Sequence, residues 1–255
     1  MSYFKELYSD IRRSRTATSV LYRTSKRRVH KPLAVRFLKF TLISFMVLSI
    51  GSVLALRWAP VPKSVHMLVD QYFNNQPLEY EWMPVVNMSP HVRLSVIAAE
   101  DQRFMSHHGL DFYSVQGALY EYNEIGNRRG SSTLTQQVAD NMFLWEGDGA
   151  IHESMEGYFA VLIDMLWSKQ RILEVYLNIT KFGPGVYGVE AASQAYFEHS
   201  SIRLSSRQAA RLAAILPNPF FTPDESSPYL EKRTEWVFQQ MQEIGGGHYL
   251  SENHL

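Results

Sequence analysis

The chain has 255 residues, with 25 basic and 25 acidic side chains and a formal net charge of zero. The two signs are not evenly spread. Lys5, Arg12, Arg13, Arg15, Arg23, Lys26, Arg27, Arg28, Lys31, Arg36 and Lys39 crowd the N-terminus, so the remainder is net acidic, which argues against a nucleic-acid surface. Cysteine is absent, which excludes a disulfide framework, a thiolate nucleophile and a cysteine metal site.

The first apolar element is Phe40 to Leu56, FTLISFMVLSIGSVLAL, seventeen residues without a charge. Leu38, Trp58 and Ala59 extend it, and Lys39 and Arg57 can snorkel at its ends. It shows no polar face beyond isolated Ser and Thr, so residues 38–59 read as a membrane span rather than a buried helix. The basic cluster precedes it and only Arg57 and Lys63 follow closely, which places residues 1–37 in the cytoplasm as a basic tail facing anionic lipid. The n-region is long and no small-x-small site follows the apolar core, so the span reads as an uncleaved signal anchor. Roughly 195 residues lie beyond it, enough for one domain with a sizeable core.

Residues 60–80, with Pro60, Pro62 and Pro77, read as a stalk with a short helix near 64–73. A mainly α domain is expected over 81–247, with a C-terminal tail over 248–255. Ser89 and Pro90 open a helix expected to end near Phe104. A second helix is expected over 112–125, up to Gly126. In RRGSSTLTQQVADNMFL (128–144), Thr133 and Gln136 fit a capping box, and Leu134, Val138 and Met142 share a face. Helices follow at about 153–167 and 169–179. Gly183, Pro184, Gly185 and Gly188 mark a loop, and helical runs resume at 188–197, 206–216 and 228–244. Alternating strand patterns are scarce.

The densest polar knot is Glu100 to Asp111. Glu100 ends an apolar run, Val96 to Ala99. It is either a desolvated acid with a raised pKa, suited to act as a base, or a solvated helix end paired with Arg103. Glu156 opens the apolar run Tyr158 to Trp167 and is either a second acid in the same cleft or a helix-start acid favoured by the dipole. Two carboxylates in one cleft are the usual equipment for chemistry at a sugar C1. His107, His108 and His152 form no HExxH zinc motif, and no GxSxG elbow is present.

These residues resemble the peptidoglycan glycosyltransferases, family 51 of the glycosyltransferases, in the monofunctional biosynthetic form. Glu100 to Asp111 (EDQRFMSHHGLD) is similar to the family's first motif and Gly130 to Asn141 (GSSTLTQQVADN) to the second. Glu156 stands at the glutamate of the third, Lys169 to Asn178 (KQRILEVYLN) at the fourth, and Phe182 to Ala192 (FGPGVYGVEAA) at the fifth. The resemblance covers about 80–220 and extends to Leu212–Pro219.

It implies a lysozyme-like helical fold with a small membrane-associated jaw subdomain. The implied activity is polymerisation of lipid II into glycan strands at the outer face of the inner (cytoplasmic) membrane. Glu100 would be the general base on the acceptor 4-hydroxyl. Glu156 would orient donor or acceptor groups or hold a divalent cation. Asp101, Phe104, His107, Gly109, Ser132, Thr133, Gln136, Gln137, Asn141, Lys169, Arg171 and Asn178 would form the substrate cleft. For Arg171, simple surface solvation is an equal reading.

The chain departs from the family at three cationic positions, now Asp140, His152 and Glu153. Anions near a pyrophosphate oppose binding. Three responses are open: Mg²⁺ or Mn²⁺ held by Asp140, Glu153 or Glu156; compensation by Lys169, Arg171 or Lys181; or an inactive homologue acting as a scaffold in wall synthesis. A glycan hydrolase is the remaining enzymatic reading. No KTG motif is present, so peptide cross-linking falls to partners such as penicillin-binding transpeptidases, in company with divisome or elongation proteins.

Overall fold

The computed structural model describes residues 33–112, 132–145, 147–217 and 227–255. The chain divides into a unit ending at Leu48 and a second, larger one running from Ser49 to Leu255.

Helix α1, Leu33–Ala55, spans both. Its 23 residues include an 18-residue stretch of mean hydropathy 2.0 and would extend roughly 35 Å, enough to cross a hydrocarbon core of about 30 Å. Apolar side chains from Leu33 to Leu48 are mostly exposed on all sides, as lipid-facing residues would be. From Ser49 onward the helix belongs to the second unit. There Val53 is fully buried, Ser49 Oγ lies 2.7 Å from the Tyr158 hydroxyl, and the Trp167 indole donates to the Val53 carbonyl at 2.8 Å.

The second unit is mainly helical: α2 (Val65–Tyr72), α3 (Pro90–Glu100), α4 (Leu134–Phe143), α5 (Ala150–Leu166), α6 (Lys169–Ile179), α7 (Val189–Phe197), α8 (Ser206–Ile215), α9 (Pro228–Glu243) and α10 (Gly247–Glu252). Two starts carry the caps expected from the sequence: the Thr133–Gln136 capping box opens α4, and Ser89 caps α3 with Pro90 in its first turn. Ser168 caps α6. The expected helix over 112–125 lies outside the described residues except for Phe112.

Two groups of helices build the core. In one, α3 packs on α8, α9 and α10; in the other, α4 packs on α5 and α6. Ile97, Phe104, Leu134, Ile163, Ile172, Leu173, Tyr176 and Leu177 are fully buried between and within them. The C-terminal residues, expected as a tail, include α10, which lies on α3 because Leu250 is buried and Tyr249 and Leu255 pack on the core.

The Gly183–Gly188 stretch is more ordered than a loop. A three-stranded sheet, order β1-β3-β2, joins β1 (Glu79–Tyr80), β2 (Lys181–Gly183) and β3 (Val186–Tyr187), with β1 and β3 parallel. Strands of two or three residues are too short for alternation to show in sequence. Gly185, at φ +75°, makes the close approach possible, since a Cβ there would meet the Pro77 carbonyl.

Candidate active site

Glu100 is the last residue of α3 and faces the other helical group. The helix stops here, short of Phe104, because Asp101 turns away (φ −154°, ψ 73°). The buried Asp101 carboxylate accepts from the Leu134 N–H at 3.0 Å and from His107 Nε2 at 2.9 Å. It thereby ties the end of α3 to the positive start of α4. Thr133 Oγ1 donates to the Gly109 carbonyl at 2.6 Å. Gly109, at φ +82°, lies against α5, where a Cβ would fall 2.8 Å from the Ala160 carbonyl oxygen.

Adjacent glutamines on α4 hold the two acids. Gln137 Nε2 donates to Glu100 Oε2 at 3.2 Å, and Gln136 Nε2 donates to Glu156 Oε1 at 2.7 Å. Burial pushes the Glu100 carboxyl up; the Gln137 hydrogen bond and the Arg233 charge pull it part of the way back. Burial likewise raises Glu156, against the Gln136 hydrogen bond, and the neighbouring Asp140 charge adds to the rise. Glu100 Oε1 is buried and has no hydrogen-bond partner among the described residues. A raised, buried carboxylate with one oxygen free is equipped to take a proton from an alcohol.

The other residues anticipated for the cleft fall into two sets. Ser132 is half-buried next to the cap, and Asn141, also half-buried, donates to the Gln137 carbonyl at 2.7 Å, so both remain beside the glutamines. Asp101, Phe104, His107, Gly109, Thr133 and Asn178 are buried and act as framework. Asn178 bonds both the N–H and the carbonyl of Met83, at 2.7 and 2.8 Å, fastening the entry segment to α6.

The basic residues expected to compensate are each engaged. Lys169 Nζ donates to the His107 carbonyl at 2.8 Å and to Asp164 at 2.5 Å, and lies 4.8 Å from the centre of the Phe104 ring. Lys181 pairs with Asp70 at 2.6 Å. Arg171, 9 % exposed, donates to the carbonyls of Leu56 (2.8 Å) and Ala59, pairs with Glu174 at 3.0 Å, and stacks over Trp82 and Trp167. It joins the foot of α1 to α6 rather than facing the two acids.

Asp140 faces His152 Nε2 at 2.9 Å and His66 Nε2 at 3.7 Å. Glu153 is exposed, and Glu156 is taken up by Gln136. Among the described residues no three such groups converge on one point as a metal would require. The set therefore does not fit a preformed divalent-cation site, and the imidazoles of His152 and His66 lie against Asp140.

Two participants were missed in the sequence. Tyr176, inside the fourth motif but given no role there, bonds Gln137 Oε1 at 2.9 Å through its hydroxyl. His66, on α2, reaches Asp140 from outside every motif quoted above. A tyrosine among buried apolar positions was the available signal for the first, because its hydroxyl needs a partner.

The family model described as transglycosylase matches residues 67–242, more than half of the chain. The chain belongs to the transglycosylase family. The match runs from within α2 to within α9 and contains both acids and both glutamines. Among similar proteins named biosynthetic peptidoglycan transglycosylase, one from Chromohalobacter salexigens is 45% identical over 222 residues, covering 85% of this chain and 95% of its own. One from Pseudomonas entomophila is 44% identical over 225 residues, 86% of this chain and 95% of its own. A Marinomonas relative is 44% identical over 202 residues, 79% of this chain and 88% of its own. The transglycosylase relatives thus match this chain over nearly their full length, the apolar N-terminal helix partly included.

Proposed function

We propose that the protein is a peptidoglycan glycosyltransferase that polymerises lipid II into linear glycan strands, with Glu100 as the general base. The observation that carries this reading is the state of Glu100: one oxygen held by Gln137, the other buried and without a partner among the described residues, and the carboxyl raised in pKa by burial. The chemistry asks for that arrangement. The nucleophile is an alcohol, the 4-hydroxyl of the acceptor N-acetylglucosamine, so it needs a base. As its oxygen bonds to C1 of the donor N-acetylmuramic acid, its proton passes to Glu100 Oε1. The bond from C1 to the lipid pyrophosphate breaks, and the electron pair leaves with undecaprenyl pyrophosphate. Attack opposite the leaving group inverts C1 from α to β.

Glu156, fixed by Gln136 on the next residue of the same helix, orients sugar groups beside the reacting centre. A pyrophosphate leaves readily and requires charge stabilisation more than a proton. No step is routed through a divalent cation, since the described carboxylates do not converge to hold one. The imidazoles of His152 and His66 are the polar groups facing Asp140 on that side.

The setting follows from α1 and the basic N-terminus. Helix α1 is read as a single span in the cell inner membrane, with the N-terminus cytoplasmic and the catalytic domain periplasmic, where lipid II is met by lateral diffusion. Partners are lipid II, the growing lipid-linked glycan and membrane lipids, with transpeptidases and divisome or elongation proteins as neighbours in wall synthesis. One observation favours the scaffold alternative: Lys169, Arg171 and Lys181 are all engaged in ion pairs.

The decisive experiment is lipid II polymerisation by the detergent-solubilised full chain, with and without Mg²⁺ or Mn²⁺, beside Glu100→Gln. Polymer that depends on Glu100 supports the glycosyltransferase reading. Folded protein that makes no polymer under either condition would replace it with the scaffold.

A further inference from the structure

We infer that Tyr176, acting through Gln137, is a positioning residue for the base: it decides which oxygen of Glu100 is held and which is left to take the proton. The inference deepens the general-base reading above and rests on it.

The geometry is a directed chain across three elements. The Tyr176 hydroxyl donates to Gln137 Oε1 at 2.9 Å, and Gln137 Nε2 donates to Glu100 Oε2 at 3.2 Å. A glutamine amide has one accepting and one donating end, and turning it over exchanges them. The Tyr176 hydrogen occupies the accepting end, so the donating end must face Glu100. Tyr176 is fully buried on α6, where water cannot substitute for its hydroxyl. Each bond in such a chain polarises the next, and all point toward the carboxylate.

The result is an asymmetric acid. Oε2 is occupied; Oε1 is buried and, among the described residues, unpartnered. An unpaired carboxylate oxygen out of water is unfavourable until a donor arrives. The acceptor hydroxyl is such a donor, and it meets an oxygen whose direction has been set in advance. Without the Tyr176 hydroxyl, the Gln137 amide can turn its oxygen toward Glu100, a geometry that suits only the protonated acid. Tyr176 thus opposes, from α6, the protonation that burial favours. Among the described residues, the other charged groups acting on Glu100 are Arg233 of α9, which favours the ionised form, and Asp101, which opposes it.

The test is the pH profile of lipid II polymerisation by full-length Tyr176→Phe, measured as kcat and KM separately, with Glu100→Gln alongside. The expected result is an acid limb of kcat moved to higher pH by about half a unit to one unit, recovery of most of kcat above that limb, and KM within about twofold of the parent. A packing defect alone would lower activity at every pH. Gln137→Leu, which keeps Tyr176 and removes the amide between it and Glu100, should move the limb the same way, and it provides the answer if Tyr176→Phe does not fold. An acid limb unmoved in the folded variants, with Glu100→Gln inactive, overturns the positioning role and leaves the base standing. Polymer made by Glu100→Gln at the parental rate overturns both.

Discussion

Gln136 donates its side-chain amide to Glu156 at 2.7 Å while its own oxygen accepts from the Thr133 backbone N–H at 3.2 Å. One residue therefore closes the helix cap and aims an acid. Gln136→Ala breaks both bonds. It should cost about 0.5–2 kcal/mol of stability from the cap and also lower kcat/KM by roughly tenfold through loss of Glu156 orientation. Gln136→Glu, which can keep the cap but sets two carboxylates face to face, should retain most of the melting temperature and lose activity. Thermal melts and steady-state polymerisation of the two variants separate the roles.

Glu100→Gln should lower kcat by roughly 10²–10⁴-fold, the usual contribution of a general base. The same change should stabilise the fold at neutral pH. Burial raises the folded pKa of Glu100 above its ordinary 4.5. Between 4.5 and that raised value the folded state binds more protons than the unfolded one, so stability falls as pH climbs through the window. Removing the charge removes the loss. A higher melting temperature for Glu100→Gln at pH 7, converging with the parent below about pH 4, is the expected pattern, and calorimetry across pH reads it.

Gly109→Ala should destabilise by about 1–3 kcal/mol. The residue sits at φ +82°, and its new Cβ would lie 2.8 Å from the Ala160 carbonyl oxygen, which is backbone and cannot swing away. Because Thr133 Oγ1 bonds the Gly109 carbonyl, the strain passes to the cap of α4. Urea titration checks the first statement, and a fall in kcat exceeding the fraction unfolded checks the second.

Asp140→Asn should tighten donor binding severalfold at low salt, with the gain shrinking as ionic strength rises. The substitution removes a negative charge near Glu156 and leaves His152 and His66 facing a neutral amide. Donor titrations at two salt concentrations decide it. Equal affinity at both would mean that the imidazoles already cancel the Asp140 charge.

The starts of α3 and α4 were legible because each carries a cap whose mechanism is local: Ser89 with Pro90, and Thr133 with Gln136. The apolar span was legible from composition. Both acids could be singled out, since each borders an apolar run. Their attachment to neighbouring residues of α4 could not, because it depends on how α3 and α5 pack, which no local pattern records. Arg171 shows the converse. Its place in a family motif suggested the cleft, yet long-range packing directs its guanidinium to the carbonyls of Leu56 and Ala59. The same holds for Lys169 and Lys181, whose carboxylate partners are set by the fold. The short sheet stayed hidden because each strand has too few residues to alternate.

The carbonyls of Val53, Leu56 and Ala59 are all taken up by Trp167 and Arg171, so the segment that leaves the apolar helix has no slack. An enzyme on a loose leash could swing after a lengthening product while its anchor stayed put. With α1 in a bilayer, as proposed, the reacting centre stays fastened to the segment that leaves the helix. Each added disaccharide must then be accommodated by relative drift in the plane of the bilayer, with the glycan slipping past the protein or the whole protein moving along it. Elongation becomes a two-dimensional transport problem, sensitive to membrane viscosity as well as to the chemical step.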